Sequence, residues 1–496
     1  MSQLLKKIQA YSISQPDKTA FKSHLGQISY AELYKQVESL ATHLKQTHCA
    51  ILGIWADNSP QWVITQLAAM SAGINVIPMP IFFSPSQVQH LINSANIELI
   101  VLDERLKLAY PQVDFESYTN AQLPLPSGLS AYQKSTHTGS TTNLSTALVT
   151  FTSGSTGTPK GVCIDFDLID QMCSSLHSLT HNLGVQKHLC LLPLAVMLEN
   201  IAGAFLPLYA GETIVIDSSE ITGLRGSSQP DIQQLGLYLS AEQPHSLIVT
   251  PELLKLLLLL KQQGQALDYL KLVAVGGGKV PKRLLQQACA LNIPVYEGYG
   301  LSECGSVVAL NTPNATKLGS VGKPLLHCNV KISDSGEILV YGPHMSGYLD
   351  EPVSVSDHIS TGDLGYIDED GFLFITGRIK NIQINSFGRN FSPEWIEAEI
   401  NGLSGVIRSA IFGDGKPYIT ALIQTIPGVS ESQIQQQIQQ LNQSLPDYAQ
   451  IKATLPMSAE VLTNHGLLTA NGRIKRETIK HYYAQQIEDC YHSVTI

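Results

Sequence analysis

Short apolar runs alternate with stretches of helical spacing, and that alternation constrains the fold of these 496 residues more than any other feature. Between positions 28 and 103, segment 31–44 repeats apolar residues at helical spacing. Ile51-Leu52-Gly53-Ile54-Trp55 reads as a strand, and 62–72 as a helix that stops at Gly73. Segments 75–79 and 97–102 are two further apolar strands. Such strands must be covered on both faces, and helices between them imply parallel β-α-β crossovers. A second set of strands follows at 214–216, 246–249, 272–275 and 294–296, and short β signals at 329–333, 337–341 and 371–376 come after it. Residues 115–145, rich in Ser, Thr, Gly and Pro, are expected to form a loop. Segment 433–443 is glutamine-rich, yet Ile434, Ile438 and Leu441 keep helical spacing, so it reads as a surface helix. A chain this long exceeds one core, so more than one domain is expected.

Composition removes several function classes. Thirty-one basic against 41 acidic residues give a formal charge of −10, the wrong sign for a nucleic-acid binder. The eight cysteines are scattered with no Cys-x-x-Cys and read as buried thiols of a reducing compartment. No apolar stretch follows Lys6 and Lys7 to form a signal peptide, and the apolar run 253–260 is too short to span a membrane. A cytoplasmic protein is expected. His177, His181 and His188 read as surface or helix-satisfied side chains rather than metal ligands.

The chemistry is concentrated in Thr152-Ser153-Gly154-Ser155-Thr156-Gly157-Thr158-Pro159-Lys160-Gly161, which follows an apolar strand at 147–151. Glycines allow close backbone approach, hydroxyls and amides donate to phosphate oxygens, and Lys160 adds charge, so the segment suits a loop that wraps a polyphosphate. It lacks the Gly-Lys-Ser/Thr of a P-loop.

This segment resembles the phosphate-binding signature of the adenylate-forming (AMP-binding) superfamily, and further motifs follow in that family's order. Tyr296-Glu297-Gly298-Tyr299-Gly300-Leu301-Ser302-Glu303 resembles its adenine and magnesium motif. The resemblance implies that Tyr299 stacks on adenine with Gly300 and Gly277 beside it, that Ser302 bonds the α-phosphate, and that Glu303 and Thr156 hold Mg²⁺. Thr361-Gly362-Asp363 resembles the ribose motif, with Asp363 accepting the ribose hydroxyls. In Gly377-Arg378-Ile379-Lys380-Asn381 the family places Arg378 near ribose and phosphate and a hinge at Lys380. The loop Phe387-Gly388-Arg389-Asn390 resembles the one that forms the thiol channel, and Ser392-Pro393-Glu394 also reads as a helix N-cap. Gly472-Arg473-Ile474-Lys475 resembles the final motif, with Arg473 where the family's catalytic lysine stands. Lys475, on the same face if the segment is extended, is a possible substitute. The implied fold is α/β: a large N-terminal domain of α/β subdomains with a β-rich distal part (1–379), then a small mobile α+β C-terminal domain (380–496).

Leu192-Pro193-Leu194-Ala195-Val196-Met197-Leu198-Glu199-Asn200 resembles the long-chain fatty acyl-CoA synthetase branch, although that branch usually has histidine where Val196 stands. Asp165 and Asp167 read as structural, which leaves no acidic residue placed to bind an amino-acid amine. The resemblance therefore implies ATP- and Mg²⁺-dependent activation of a fatty acid to acyl-AMP, with Lys160, Glu303, Arg473 and Lys380 as catalytic residues. The acyl group would then pass to CoA. Alternatives are transfer to a carrier-protein phosphopantetheine, with Lys475, Arg476 and Lys480 receiving either acceptor, and a degenerate acyl-AMP-binding protein with weak turnover.

Overall fold

The computed structural model describes residues 2–125, 128–135, 146–152, 160–224, 230–349, 351, 356–469 and 473–492. Two large sheets dominate its first part. One has eight strands, with Ile51–Trp55 between Asn75–Pro78 and Leu99–Leu102, both parallel to it. All five residues of Ile51–Trp55 are buried, as an uninterrupted apolar strand requires. The helix Pro60–Ala72 covers this sheet, capped by Ser59 and ended by Gly73 in the left-handed region at φ 78°.

The second sheet has nine strands, and its parallel centre runs Thr213–Ile216, Lys187–Cys190, Ser246–Val249, Leu272–Val275, Val295–Tyr299. A four-stranded antiparallel sheet (Asn329–Ile332, Glu337–Tyr341, His358–Ile367, Leu373–Arg378) follows. The three-stranded sheet Val406–Phe412, Ile419–Thr425, Ile451–Pro456 then carries its own core with the helices Pro393–Asn401 and Glu431–Asn442. This is the expected α/β architecture with a smaller α+β C-terminal part.

Three expectations need correction. Segment 115–145 is not a loop throughout: Tyr118–Ala121 and Ser130–Lys134 form an antiparallel pair that extends the eight-stranded sheet beyond Leu99–Leu102. Only Tyr118 and Ala131 of the pair are buried, and the remaining residues are polar or small, so no apolar run marks these strands. The cysteines are all free but not all buried, since Cys289 is exposed. His188 is neither superficial nor helical; it lies buried on Lys187–Cys190.

Candidate active site

The phosphate-type segment joins two antiparallel strands, Thr146–Thr152 and Lys160–Asp165, whose ends pair at Thr152 and Lys160. Ser153, Gly154, Ser155, Thr156 and Gly157 lie outside the described residues. Asp165 caps the helix Phe166–Thr180 by accepting from the Leu168 amide at 2.8 Å, so its role is structural. Lys160 reaches Glu351 (Nζ to Oε1, 2.7 Å), and its ammonium lies 4.9 Å from the centre of the Tyr348 ring. Tyr348 in turn donates to Glu303 Oε1 at 3.0 Å. A contact chain therefore links the lysine of one motif to the carboxylate of another, 143 positions apart in number. Tyr348 and Glu351 carried no sequence signal. Glu303 stands on the turn Ser302–Cys304 and its Oε2 makes no hydrogen bond among those described; a hard carboxylate oxygen there suits Mg²⁺.

Tyr299 and Arg378 meet on Asp363. The phenol donates to Oδ2 and the guanidinium Nε to Oδ1, each at 2.6 Å, and the carboxylate is 3% exposed. Asp363 and Arg378 face each other across paired strands, which fixes this geometry through the backbone. Burial, reinforced by the Asp363 charge, holds the Tyr299 phenol well above its ordinary pKa, so it remains a donor. Each Asp363 oxygen retains a further lone pair for another hydroxyl. Gly300 has no substitute here, because a Cβ on it would lie 1.6 Å from the Ser306 carbonyl oxygen.

The C-terminal part contacts this region through Arg473, whose Nη2 donates to the carbonyl of Gly277. Gly277 sits just past Leu272–Val275 at φ 78°. Lys475 points elsewhere: its ammonium is bonded to the Gly466 carbonyl at 3.0 Å. Arg476 is likewise no open receptor for an anionic acceptor, since its guanidinium is committed to Glu397 by two bonds of 2.5 and 2.8 Å. Lys380 lies on the turn Ile379–Asn381, where it feels the charges of Arg378, Asp363 and Glu394, and Asn381 is tied to Glu394. Ser392 precedes Pro393–Asn401 as foreseen, but its hydroxyl donates to Glu394 rather than capping a backbone amide. Phe387 is 72% exposed and Gly388 adopts φ 73°; neither lines the cavity described next.

Period-two alternation gives the nine-stranded sheet two different faces. Leu189, Leu247, Val249, Val273 and Val275 pack into a core with the helices Ile232–Glu242 and Pro251–Gln262. Their neighbours His188, Ser246, Ile248, Leu272 and Ala274 line a cavity of about 210 Å³ on the other face, which Leu247 and Val275 also border. Val196, Met197, Leu198, Ala202 and Leu206 form an opposing wall. Gly277, Tyr299, Gly300 and Ser302 border the same cavity, where the strands end at their C-terminal edges. No lysine or arginine is among the described residues that line it.

This arrangement of a phosphate-type loop, a Tyr–Asp–Arg cluster and a cavity at the strand ends has a family counterpart. Residues 9–349 match the AMP-binding enzyme family, and 381–495 match the AMP-binding enzyme C-terminal domain. The chain belongs to the AMP-binding enzyme family. Among curated members of that family, a long-chain-fatty-acid–CoA ligase, FadD15 of Mycobacterium tuberculosis, is 30% identical over 246 residues. The match covers 44% of this chain and only 41% of that relative's length. A 2-succinylbenzoate–CoA ligase of Bacillus pumilus is 28% identical over 418 residues, 78% of this chain and 80% of the relative. O-succinylbenzoate coenzyme A synthetase from Bacillus subtilis, solved with AMP, superposes with TM-score 0.76 at 21% identity, covering 97% of this chain and 98% of that one. ATP-bound MatB from Rhodopseudomonas palustris gives 0.77 at 21% identity over 98% of this chain and all of that one, so the AMP-binding enzyme fold extends nearly end to end.

Proposed function

We infer that this chain is an AMP-forming acid–CoA ligase that activates an apolar monocarboxylic acid, of the fatty-acid class, in the cytoplasm. The cavity carries this reading. It begins beside Tyr299 and Gly277, runs along the sheet face, and is walled mainly by aliphatic side chains. Burying such a chain gains about 0.8 kcal/mol per methylene. A dicarboxylic aryl acid, the second reading suggested by the 2-succinylbenzoate–CoA ligases, would bring a second carboxylate into a space with no lysine or arginine among its described lining and with Glu212 nearby. An uncompensated charge there is unfavourable.

In the first half-reaction a carboxylate oxygen of the acid attacks the α-phosphorus of ATP and pyrophosphate leaves, giving acyl-AMP. Tyr299 offers a face for adenine, Asp363 lone pairs for ribose hydroxyls, and Lys160 and Arg473 positive charge at the oxygens that gain negative charge. Lys160 is half exposed and its pair with Glu351 is weak, so it is free to exchange partners. Glu303 would hold Mg²⁺, which would supply charge neutralisation for the ATP phosphates when bound. In the second half-reaction the CoA thiolate attacks the acyl carbonyl and AMP leaves. We assign the pivot between the two to Lys380, with residues 380–496 moving as a domain and the exposed Phe387-Gly388 loop turning toward the acyl-adenylate. Closure of this kind also protects the mixed anhydride from water.

Pyrophosphate exchange measured across saturated fatty acids of increasing length, benzoates and dicarboxylates tests the reading. Exchange with fatty acids above the aryl and dicarboxylic acids supports it, and exchange with none of them overturns it in favour of a nucleotide-binding protein. Supplying CoA and a phosphopantetheinylated carrier in parallel identifies the acceptor.

A further inference from the structure

Behind the cavity wall lie three side chains that the inferred reaction does not use. His188 is 3% exposed, and Cys190 and Glu199 are fully buried. One donor atom from each falls within 4.8 Å of the others, with His188 Nε2 3.5 Å from Glu199 Oε1. Nε2 and both carboxylate oxygens are shut off from solvent, and none makes a hydrogen bond of normal geometry. Buried polar atoms in folded proteins are almost always satisfied, whereas Glu199 has only long contacts to His188, Cys190 and the Leu191 backbone, which leaves the group short of strong partners.

The surroundings prepare these atoms for a cation. Ser246 Oγ lies 2.9 Å from His188 Nδ1. With Ser246 accepting from Nδ1–H, as the outer partners of metal-bound imidazoles do, Nε2 keeps its lone pair. Glu199 and Gly203 share the π-helical turn Glu199–Phe205, a rare conformation that concentrates at functional sites. A Cβ on residue 203 would lie 2.8 Å from the Glu199 carboxylate and 3.0 Å from His188 Nε2, so glycine is what leaves room over the donors. The Cys190 thiol donates to the Gly203 carbonyl oxygen at 3.4 Å, and release of that proton would leave the oxygen free as a fourth ligand.

We propose that His188, Cys190 and Glu199, with the Gly203 carbonyl, bind a divalent transition ion of the zinc class. Thiolate and carboxylate supply two negative charges, which such an ion cancels, and the thiol proton is released on binding. The mixed N, S, O set suits zinc and excludes Mg²⁺, which avoids sulfur. Tetrahedral bonds of about 2.0–2.3 Å place ligand atoms about 3.3–3.8 Å apart, so a span of up to 4.8 Å closes with side-chain shifts of about 1 Å. Because His188 and Ser246 also line the cavity, the ion stiffens its wall without entering the nucleotide site.

The test is a Co²⁺ titration of chelator-stripped, full-length protein without ATP, in a Cys289→Ser background that removes the exposed thiol. The expected result is one equivalent bound with a thiolate-to-cobalt charge-transfer band, displaced by Zn²⁺, and a rise in Tm with added Zn²⁺. Cys190→Ala should abolish the band, and Ser246→Ala should keep it while weakening affinity by about 10–100-fold. Absence of the band in the parent protein, or its survival in Cys190→Ala, overturns the proposal and leaves His188 and Glu199 as a buried pair. If Cys190→Ala fails to fold, the parent titration and Ser246→Ala decide the matter.

Discussion

Replacing Tyr299 by phenylalanine removes one hydroxyl and leaves the ring, which isolates what Asp363 owes to its buried partner. Asp363 is 3% exposed and receives 2.6 Å bonds from Tyr299 and Arg378. The Arg378 side chain is 49% exposed, so that ion pair is screened by water and contributes about 0–1 kcal/mol. Loss of the Tyr299 hydroxyl instead strands a carboxylate oxygen away from solvent, at about 1–3 kcal/mol. Tyr299→Phe should therefore lower the urea midpoint more than Arg378→Ala does, with the m-value unchanged. In pyrophosphate exchange, an Asp363 less firmly held by about 1 kcal/mol should raise the KM for ATP by roughly five-fold. Arg378→Ala should have the larger effect on kcat, because its exposed guanidinium is available to the nucleotide. A more destabilised Arg378→Ala, or a Tyr299→Phe with unchanged midpoint and unchanged KM, would refute this reasoning.

Lys380→Pro fixes φ at the inferred pivot, so acyl-adenylate formation should persist while transfer to CoA falls at least about ten-fold; equal loss of both steps in single-turnover assays would remove Lys380 as the hinge. Arg473→Ala should lose adenylation by about a hundred-fold, whereas Lys475→Ala, whose ammonium serves the Gly466 carbonyl, should lose less than about three-fold; the reverse order in pyrophosphate exchange would transfer the role to Lys475. Burial pushes Glu297 up to about 8 from 4.5, against smaller opposing effects of the Val280 amide and Lys279. Its folded form holds a proton more tightly than the unfolded chain, so its contribution is complete below 4.5 and lost as pH rises to about 8. Glu297→Gln, which never ionises, should gain on the parent protein by at least about 1 kcal/mol across that window, and a urea-midpoint difference independent of pH would exclude the effect.

Strands such as Ser246–Val249 and Leu272–Val275 were legible to the residue because each is an apolar run closed by glycine, proline or polar residues. Tyr118–Ala121 and Ser130–Lys134 were not, because each buries a single side chain and backbone pairing leaves no apolar run in the sequence. The site shows the same division. Tyr299, Asp363 and Arg378 stand in contiguous motifs, so the family resemblance named them. Tyr348 and Glu351 reach Lys160 and Glu303 only because Gly347–Tyr348 pairs with Val162 and Cys163, a register that no local pattern encodes. His188 was misjudged because Lys187-His188-Leu189-Cys190 mixes polar and apolar types, and burial on both faces became visible only with the sheet assembled.

The two-faced nine-stranded sheet has an evolutionary consequence. On Leu272–Val275 the even positions, Leu272 and Ala274, shape the cavity, Val273 holds the opposite core, and Val275 touches both. Adjacent codons thus answer to different selective pressures. A change of size at Leu272 or Ala274 would reshape the cavity and leave the packing of Val273 intact, so the shape of this cavity can change with little toll on folding.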